Sequence, residues 1–283
     1  MNELPPYERS VVECCRAGGE RLVRYLSLLP SESWQNPSAC AGWEIQDVVG
    51  HLSWGAELYV RAISRGVKGD TSPEEGYPQK GDIDRESFPA WAAQQAIAYR
   101  KRYADRMLDT FSELNARLQN LMDRLKLWDL EKPCYHPLGT REVRVLMVFR
   151  AIELSMHAWD MESAKDPSTV LLPESLPILL ERIPAMLSAG FQPHSRLPVP
   201  VRYRFLVSGA VNRKYDFIIE GDGFRVEAIG NADAQVTCRC DTETFALLMF
   251  HRLSPQAAMT GGRLSVDGDR GLMITFGRWF KFV

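Results

Sequence analysis

Arg150-Ala151-Ile152-Glu153-Leu154-Ser155-Met156-His157-Ala158-Trp159-Asp160 reads as the middle of a helix running from about Thr140 to Ala164, and its polar residues set the fold problem. Glu153 and His157 are four residues apart, so on a helix they project from one face about one turn apart. The same face carries Leu146 and Phe149, which aims the carboxylate into an apolar interior. A buried carboxylate without a partner costs several kcal/mol or shifts its pKa until it is neutral. Two partners are open to it: a divalent cation, or a buried arginine such as Arg150 or Arg144. Upstream, Trp43 to Arg65 forms a second helix in which His51 lies beside Val48, Leu52 and Gly55 on the inward side. Two imidazoles and one carboxylate, His51, Glu153 and His157, make a three-ligand zinc set that leaves a fourth position open. The other reading makes each histidine a satisfied core residue.

Around these two helices the first part of the chain is helical throughout. Tyr7 to Leu29 carries Val11, Val12, Cys15, Leu22, Leu26 and Leu29 as an apolar stripe, and a helical region, broken or bent, spans about Phe88 to Leu127. Residues 66–85, rich in Gly, Pro, Asp and Lys, read as a long exposed connection suited to a lid or binding loop, with Tyr77 and Arg85 as possible contacts beside Arg100 of the next helix. Four such helices predict a bundle over residues 1–165. The character changes near residue 165. A helix over about Glu174 to Ala189 is followed by strand signals at Val201–Ser208, Tyr215–Ile219, Arg225–Ile229 and Gln235–Cys240, with Glu220-Gly221-Asp222-Gly223 as a hairpin turn. A short helix at Thr242–Arg252 and two last strands, Arg263–Val266 and Leu272–Phe276, complete the series. The fold class is therefore α+β, a helical bundle over 1–165 followed by a smaller α+β domain over 166–283.

The whole composition narrows the function classes. A chain of 283 residues with 45% hydrophobic and 25% charged residues closes two ordinary cores. Its formal charge of −2 provides no cationic field to gather nucleic acid. No apolar run reaches membrane-spanning length and Met1-Asn2-Glu3-Leu4-Pro5-Pro6 lacks a signal-peptide pattern, so a cytoplasmic location is expected, with no nucleic-acid or membrane partner. The six cysteines, Cys14, Cys15, Cys40, Cys134, Cys238 and Cys240, form no C-x-x-C pair and read as buried free thiols.

Two segments carry a family resemblance. Gly42-Trp43-Glu44-Ile45-Gln46-Asp47-Val48-Val49-Gly50-His51-Leu52 resembles the W-x-x-x-D-x-x-x-H-L opening of the mycothiol-dependent maleylpyruvate isomerase family, a branch of the DinB-like metal-binding four-helix bundles. Arg150 to Asp160 resembles its second signature, R-x-x-E-x-x-x-H-x-x-D. Gly261-Gly262-Arg263-Leu264 and Val266-Asp267-Gly268-Asp269 are similar to the sterol-carrier-like C-terminal domain that many members carry. The resemblance places the metal ligands on His51, Glu153 and His157. It places the family's Trp and Asp on Trp43, a packing residue at the helix start, and on Asp47, which either orients His51 or serves as a helix-terminal charge. Asp160, three residues after His157, has the same two readings.

The activity implied by that resemblance is thiol-dependent cis–trans isomerisation, with zinc or another divalent metal and a low-molecular-weight thiol such as mycothiol as cofactors. A thiolate adds to an activated cis double bond, the new single bond rotates, and elimination releases the trans isomer; for maleylpyruvate the product is fumarylpyruvate. A dianionic substrate calls for a cation, and Arg263 of the C-terminal domain is the expected one. Permanent transfer of the thiol to an electrophile, an S-transferase activity, is the alternative chemistry. Non-enzymatic binding of a small apolar ligand is the alternative class.

Overall fold

A computed structural model describes residues 3–193 and 199–281, and the chain folds as two units, Met1–Ser175 and Leu176–Val283. Unit one contains α1 (Pro6–Ser27), α2 (Ile45–Gly66), α3 (Phe88–Tyr103), α4 (Met107–Met122), a two-residue ladder of β1 (Pro133–Cys134) with β2 (Arg141–Glu142), and α5 (Val143–Glu162). Helix α1 packs on α4 and α5, and α2 packs on α3, α4 and α5. The apolar stripes expected of α1 and α2 are the buried ones, Val11, Val12, Cys15, Leu22 and Leu26 on α1 and Val48, Val49, Leu52, Ala56, Tyr59 and Ile63 on α2. Arg21 of α1 holds Glu162 of α5 through two hydrogen bonds of 2.9 and 2.7 Å.

The helical region expected to be broken or bent is broken. It is two helices, α3 and α4, joined by the turn Ala104–Arg106. Between buried Tyr99 and buried Met107 the chain offers Lys101, Arg102, Asp105 and Arg106, so no burial holds one helix through the bend. Residues 166–175, assigned by composition to the second part, belong to unit one, where Trp159 Nε1 donates to Thr169 O at 3.2 Å and Arg21 to Val170 O at 3.0 Å. Helix α5 starts at Val143, not Thr140, because β2 pairs with β1 immediately before it.

Unit two begins with α6 (Leu176–Gly190) and builds a five-stranded sheet from β3 (Val201–Ser208), β4 (Arg213–Glu220), β5 (Gly223–Glu227) and β6 (Val236–Asp241), then, after α7 (Thr242–Met249) and α8 (Pro255–Thr260), from β7 (Leu264–Gly268). The order is β5-β4-β3-β6-β7, with β3 and β6 parallel and the other neighbours antiparallel. One sheet face buries Tyr203, Phe205 and Phe217 with Phe245 of α7 and with Phe276. On the other, Asp216 is fully buried and neutralised by Arg202 and Arg204 at 2.8 Å. Leu272–Phe276, expected as a strand, lies instead in helix α9 (Arg270–Thr275) and the turn that follows it. Asp269 decides this by accepting hydrogen bonds from Gly271 N at 2.8 Å and Leu272 N at 3.2 Å, an N-cap that starts a helix. Among the described residues no helix is long and apolar enough to cross a membrane.

Candidate metal centre

Helix α2 is started by a reciprocal cap: Glu44 N donates to Asp47 Oδ2 at 3.0 Å. Asp47 Oδ1 meets Arg100 of α3 at 2.9 Å. Asp47 is thus the helix-terminal charge, spent on the cap and on α3, and not the residue that orients His51. One turn further, His51 lies with its ring centroid 5.5 Å from Trp43 and 6.0 Å from Trp54. Its Nδ1 is buried with no hydrogen-bond partner. Burial first, then the charges of His157 and Arg150, hold its pKa well below the usual histidine value, so it stays neutral and able to ligate.

Across the bundle α5 presents Glu153 and His157. Glu153 Oε2 lies 4.0 Å from His51 Nε2, and the rings of His51 and His157 stand 5.0 Å apart, so residues a hundred positions apart in sequence meet at one place. The arginine pairing left open for Glu153 is not made. Arg150 is fully buried, but it donates to Leu52 O at 2.9 Å and to Asn115 Oδ1 at 3.0 Å, while Arg144 pairs with Glu131 and Glu142. Glu153 Oε1 accepts a long hydrogen bond of 3.5 Å from Tyr59, and Oε2 is buried with no hydrogen-bond partner. Burial accordingly pushes the Glu153 pKa upward, with Arg150, His157 and the Tyr59 hydroxyl opposing it. Gly55 of α2 keeps the space beside that oxygen clear, since a Cβ there would lie 3.4 Å from Oε2.

His157 is oriented by a buried carboxylate. Its Nδ1 meets Asp160 Oδ2 at 2.9 Å, which assigns the proton to Nδ1 and leaves the Nε2 lone pair for a ligand. Burial opposes a charge on this ring, but the hydrogen bonds to Asp160 and Cys40 outweigh it and carry the pKa up to about 9. Asp160 therefore takes the orienting role. An orphaned carboxylate oxygen, a neutral imidazole and a tautomer-fixed imidazole are what a divalent cation requires. The donor atoms that draw together most tightly among the described residues are nonetheless those of Cys40, His157 and Asp160, all within 4.8 Å of one another.

Cys40 and Tyr59 were not singled out from sequence as site residues. Cys40 is half-buried, unlike the other five cysteines, and it alone lies outside a helix or strand. That position in the loop before Trp43 is the signal that sets it apart. Tyr77 accepts from Trp54 Nε1 at 3.2 Å and packs by Trp91 and Tyr135, which ties the 66–85 connection to α2 three residues from His51. Arg85 is exposed and Arg100 is engaged with Glu44 and Asp47. Arg263 lies in unit two, where its Nε donates to Thr244 Oγ1 at 3.0 Å and its guanidinium meets Glu243 at 3.5 Å.

Fold and site together define a two-unit α+β protein whose helical unit brings a His, Glu, His set to one place between two helices. Residues 15–162 match the mycothiol maleylpyruvate isomerase N-terminal domain, and residues 200–281 match the SCP-2 sterol transfer family. The chain belongs to the mycothiol-dependent maleylpyruvate isomerase family. Two solved structures share its fold: the mycothiol-dependent maleylpyruvate isomerase, at 15% identity, and a histidine-to-alanine variant of it, at 16%. In each case the alignment covers 93% of both chains with a TM-score of 0.63. A search of curated proteins gives no match.

Proposed function

We propose that this protein is a metal- and thiol-dependent cis–trans isomerase of the maleylpyruvate type, with His51, Glu153 and His157 as the metal ligands, zinc as the metal and mycothiol or a similar low-molecular-weight thiol as cofactor. The observation that carries the reading is the Glu153 carboxylate, buried with one oxygen unpaired, 4.0 Å from a histidine nitrogen. When bound there, a divalent ion with one carboxylate and two neutral imidazoles retains about one positive charge and holds an incoming thiol as its thiolate.

The chain's own groups prepare that outcome. Glu153 brings the single negative charge, and Tyr59 holds one of its oxygens. His51 is kept neutral by burial, and Asp160, by accepting from Nδ1 of His157, leaves Nε2 as the atom that meets a metal once its proton is lost. Trp43 and Trp54 flank His51, and Trp91 packs edge-on against Trp54, so aromatic rings line this side of the imidazole. No protein cysteine is needed as nucleophile. Burial raises the thiols of Cys14 and Cys134 to about 11 and that of Cys240 to about 12, far from the thiolate form at neutral pH.

The partners of this activity are a small anionic substrate and the thiol, in the cytoplasm, where free cysteines such as these six persist. Metal analysis of the purified protein, followed by an absorbance assay of maleylpyruvate with and without mycothiol, tests the reading. The expected result is about one zinc per chain and turnover only with the thiol, the turnover being abolished in His51→Ala. Metal-free protein, or turnover indifferent to the thiol, overturns it. A stable thioether adduct seen by mass spectrometry assigns S-transfer instead.

A further inference from the structure

The second nitrogen of His157 faces its own donor set. Cys40 Sγ lies 3.0 Å from Asp160 Oδ2 and 3.6 Å from His157 Nδ1, and Nδ1 lies 2.9 Å from the same oxygen. A tetrahedral zinc with bonds of about 2.3 Å to sulfur and about 2.0 Å to nitrogen and oxygen separates sulfur from either other donor by about 3.5 Å, and nitrogen from oxygen by about 3.3 Å. The observed triangle already has the sulfur–nitrogen edge, and its two oxygen edges need to open by roughly half an ångström, within reach of side-chain rotation.

The loop carrying Cys40 is built in advance. Ser38 Oγ donates to Trp43 O at 2.9 Å and accepts from Cys40 N at 3.2 Å, Pro37 pairs with Glu44, and Ala39 N donates to Asp160 O at 2.8 Å. The thiol and the carboxylate are thereby held to the same residue of α5, and Asp160 is fully buried. Preorganisation of this kind reduces the ordering cost of binding.

We propose that Cys40, His157 Nδ1 and Asp160 form a second metal position, one bearing a thiolate, which excludes occupancy of the position formed with His51 and Glu153. A neutral imidazole has one lone pair, so an ion on Nδ1 places the ring proton on Nε2, the atom the other position requires. Uptake of the ion releases the thiol proton and the Nδ1 proton and leaves the ring proton on Nε2, with no oxidation. Thiolate and carboxylate cancel the charge of the dication, so this position lacks the residual positive charge that draws an anionic ligand. Its sulfur selects thiophilic ions such as zinc, cadmium and cobalt over magnesium and calcium.

Titration of the metal-stripped full chain with cobalt(II), followed by absorbance, tests the assignment. His51→Ala, which disables the first position, is expected to show a near-ultraviolet sulfur-to-cobalt band saturating at about one equivalent per chain, and the double variant His51→Ala/Cys40→Ser is expected to lose it. Cys134→Ser in place of Cys40→Ser serves as the thiol control and leaves the band intact. Cadmium uptake by the unaltered chain, read as thiolate absorbance in the far ultraviolet, provides a measurement that needs no variant. No thiolate band with either metal, or a band that survives Cys40→Ser, overturns the proposal. The isomerase reading fails separately, when His51→Ala and Glu153→Gln leave zinc affinity unchanged.

Discussion

Replacing Glu153 with glutamine separates what the carboxylate costs the metal-free fold from what it gives a metal. The substitution preserves shape, and the amide oxygen can still accept from Tyr59, whose hydroxyl lies 3.5 Å from Oε1. It removes a buried oxygen that has no hydrogen-bond partner, so the metal-free variant is expected to unfold at the same temperature or slightly higher, a gain of up to about 1 kcal/mol. With zinc the sign reverses. An ion present at 100 times its Kd stabilises by about 2.7 kcal/mol. In a unit the size of residues 1–175, each kcal/mol raises Tm by about 2–4 °C, so zinc should raise the Tm of the unaltered protein by about 5–11 °C. Thermal denaturation followed by circular dichroism, with and without zinc, reads both effects. With the Cys40 position disabled by Cys40→Ser in both proteins, most of the zinc-dependent rise should vanish in Glu153→Gln. Equal rises in the two proteins would refute the assignment of Glu153 as a ligand.

Three further outcomes follow from the same geometry. Asp160→Asn, which removes the charge that orients His157 from 2.9 Å, should weaken zinc binding about 10- to 100-fold in a chelator competition. Because His157 titrates at about 9 when metal-free, protons compete for its Nε2 across the neutral range; zinc affinity should rise about tenfold per pH unit from pH 6 to 8, and a flat profile would exclude this ring as a ligand. Gly66→Ala should destabilise the helical unit by about 1–3 kcal/mol in urea unfolding, since its Cβ would lie 2.7 Å from Pro133 O, a backbone atom that cannot step aside.

The helical site was legible because helix periodicity converts sequence spacing into a shared face: Glu153 to His157 is one turn, and the stripes of α1 and α2 follow the same arithmetic. The partners of those residues were less legible. Nothing in the spacing shows that Arg150 would spend its guanidinium on Leu52 O and Asn115 and so leave Glu153 unpaired, because both contacts arise only when α2, α4 and α5 pack. Cys40 belongs to a loop without periodicity, and its approach to Asp160 is set by loop hydrogen bonds. In unit two, β3 alternates buried and half-buried residues along its length and matched its expected bounds. The segment 272–276 offered apolar residues without enough length to distinguish periods, and the Asp269 cap settled it locally.

Two of the seven tryptophans stand at His51, with ring centroids 5.5 and 6.0 Å from the imidazole. The two indoles would therefore serve as a built-in optical gauge for an ion bound at that imidazole. An open-shell cation such as copper(II) would quench the emission of Trp43 and Trp54, whereas closed-shell zinc would leave it bright, so occupancy and exchange at the site can be followed in real time without any attached dye.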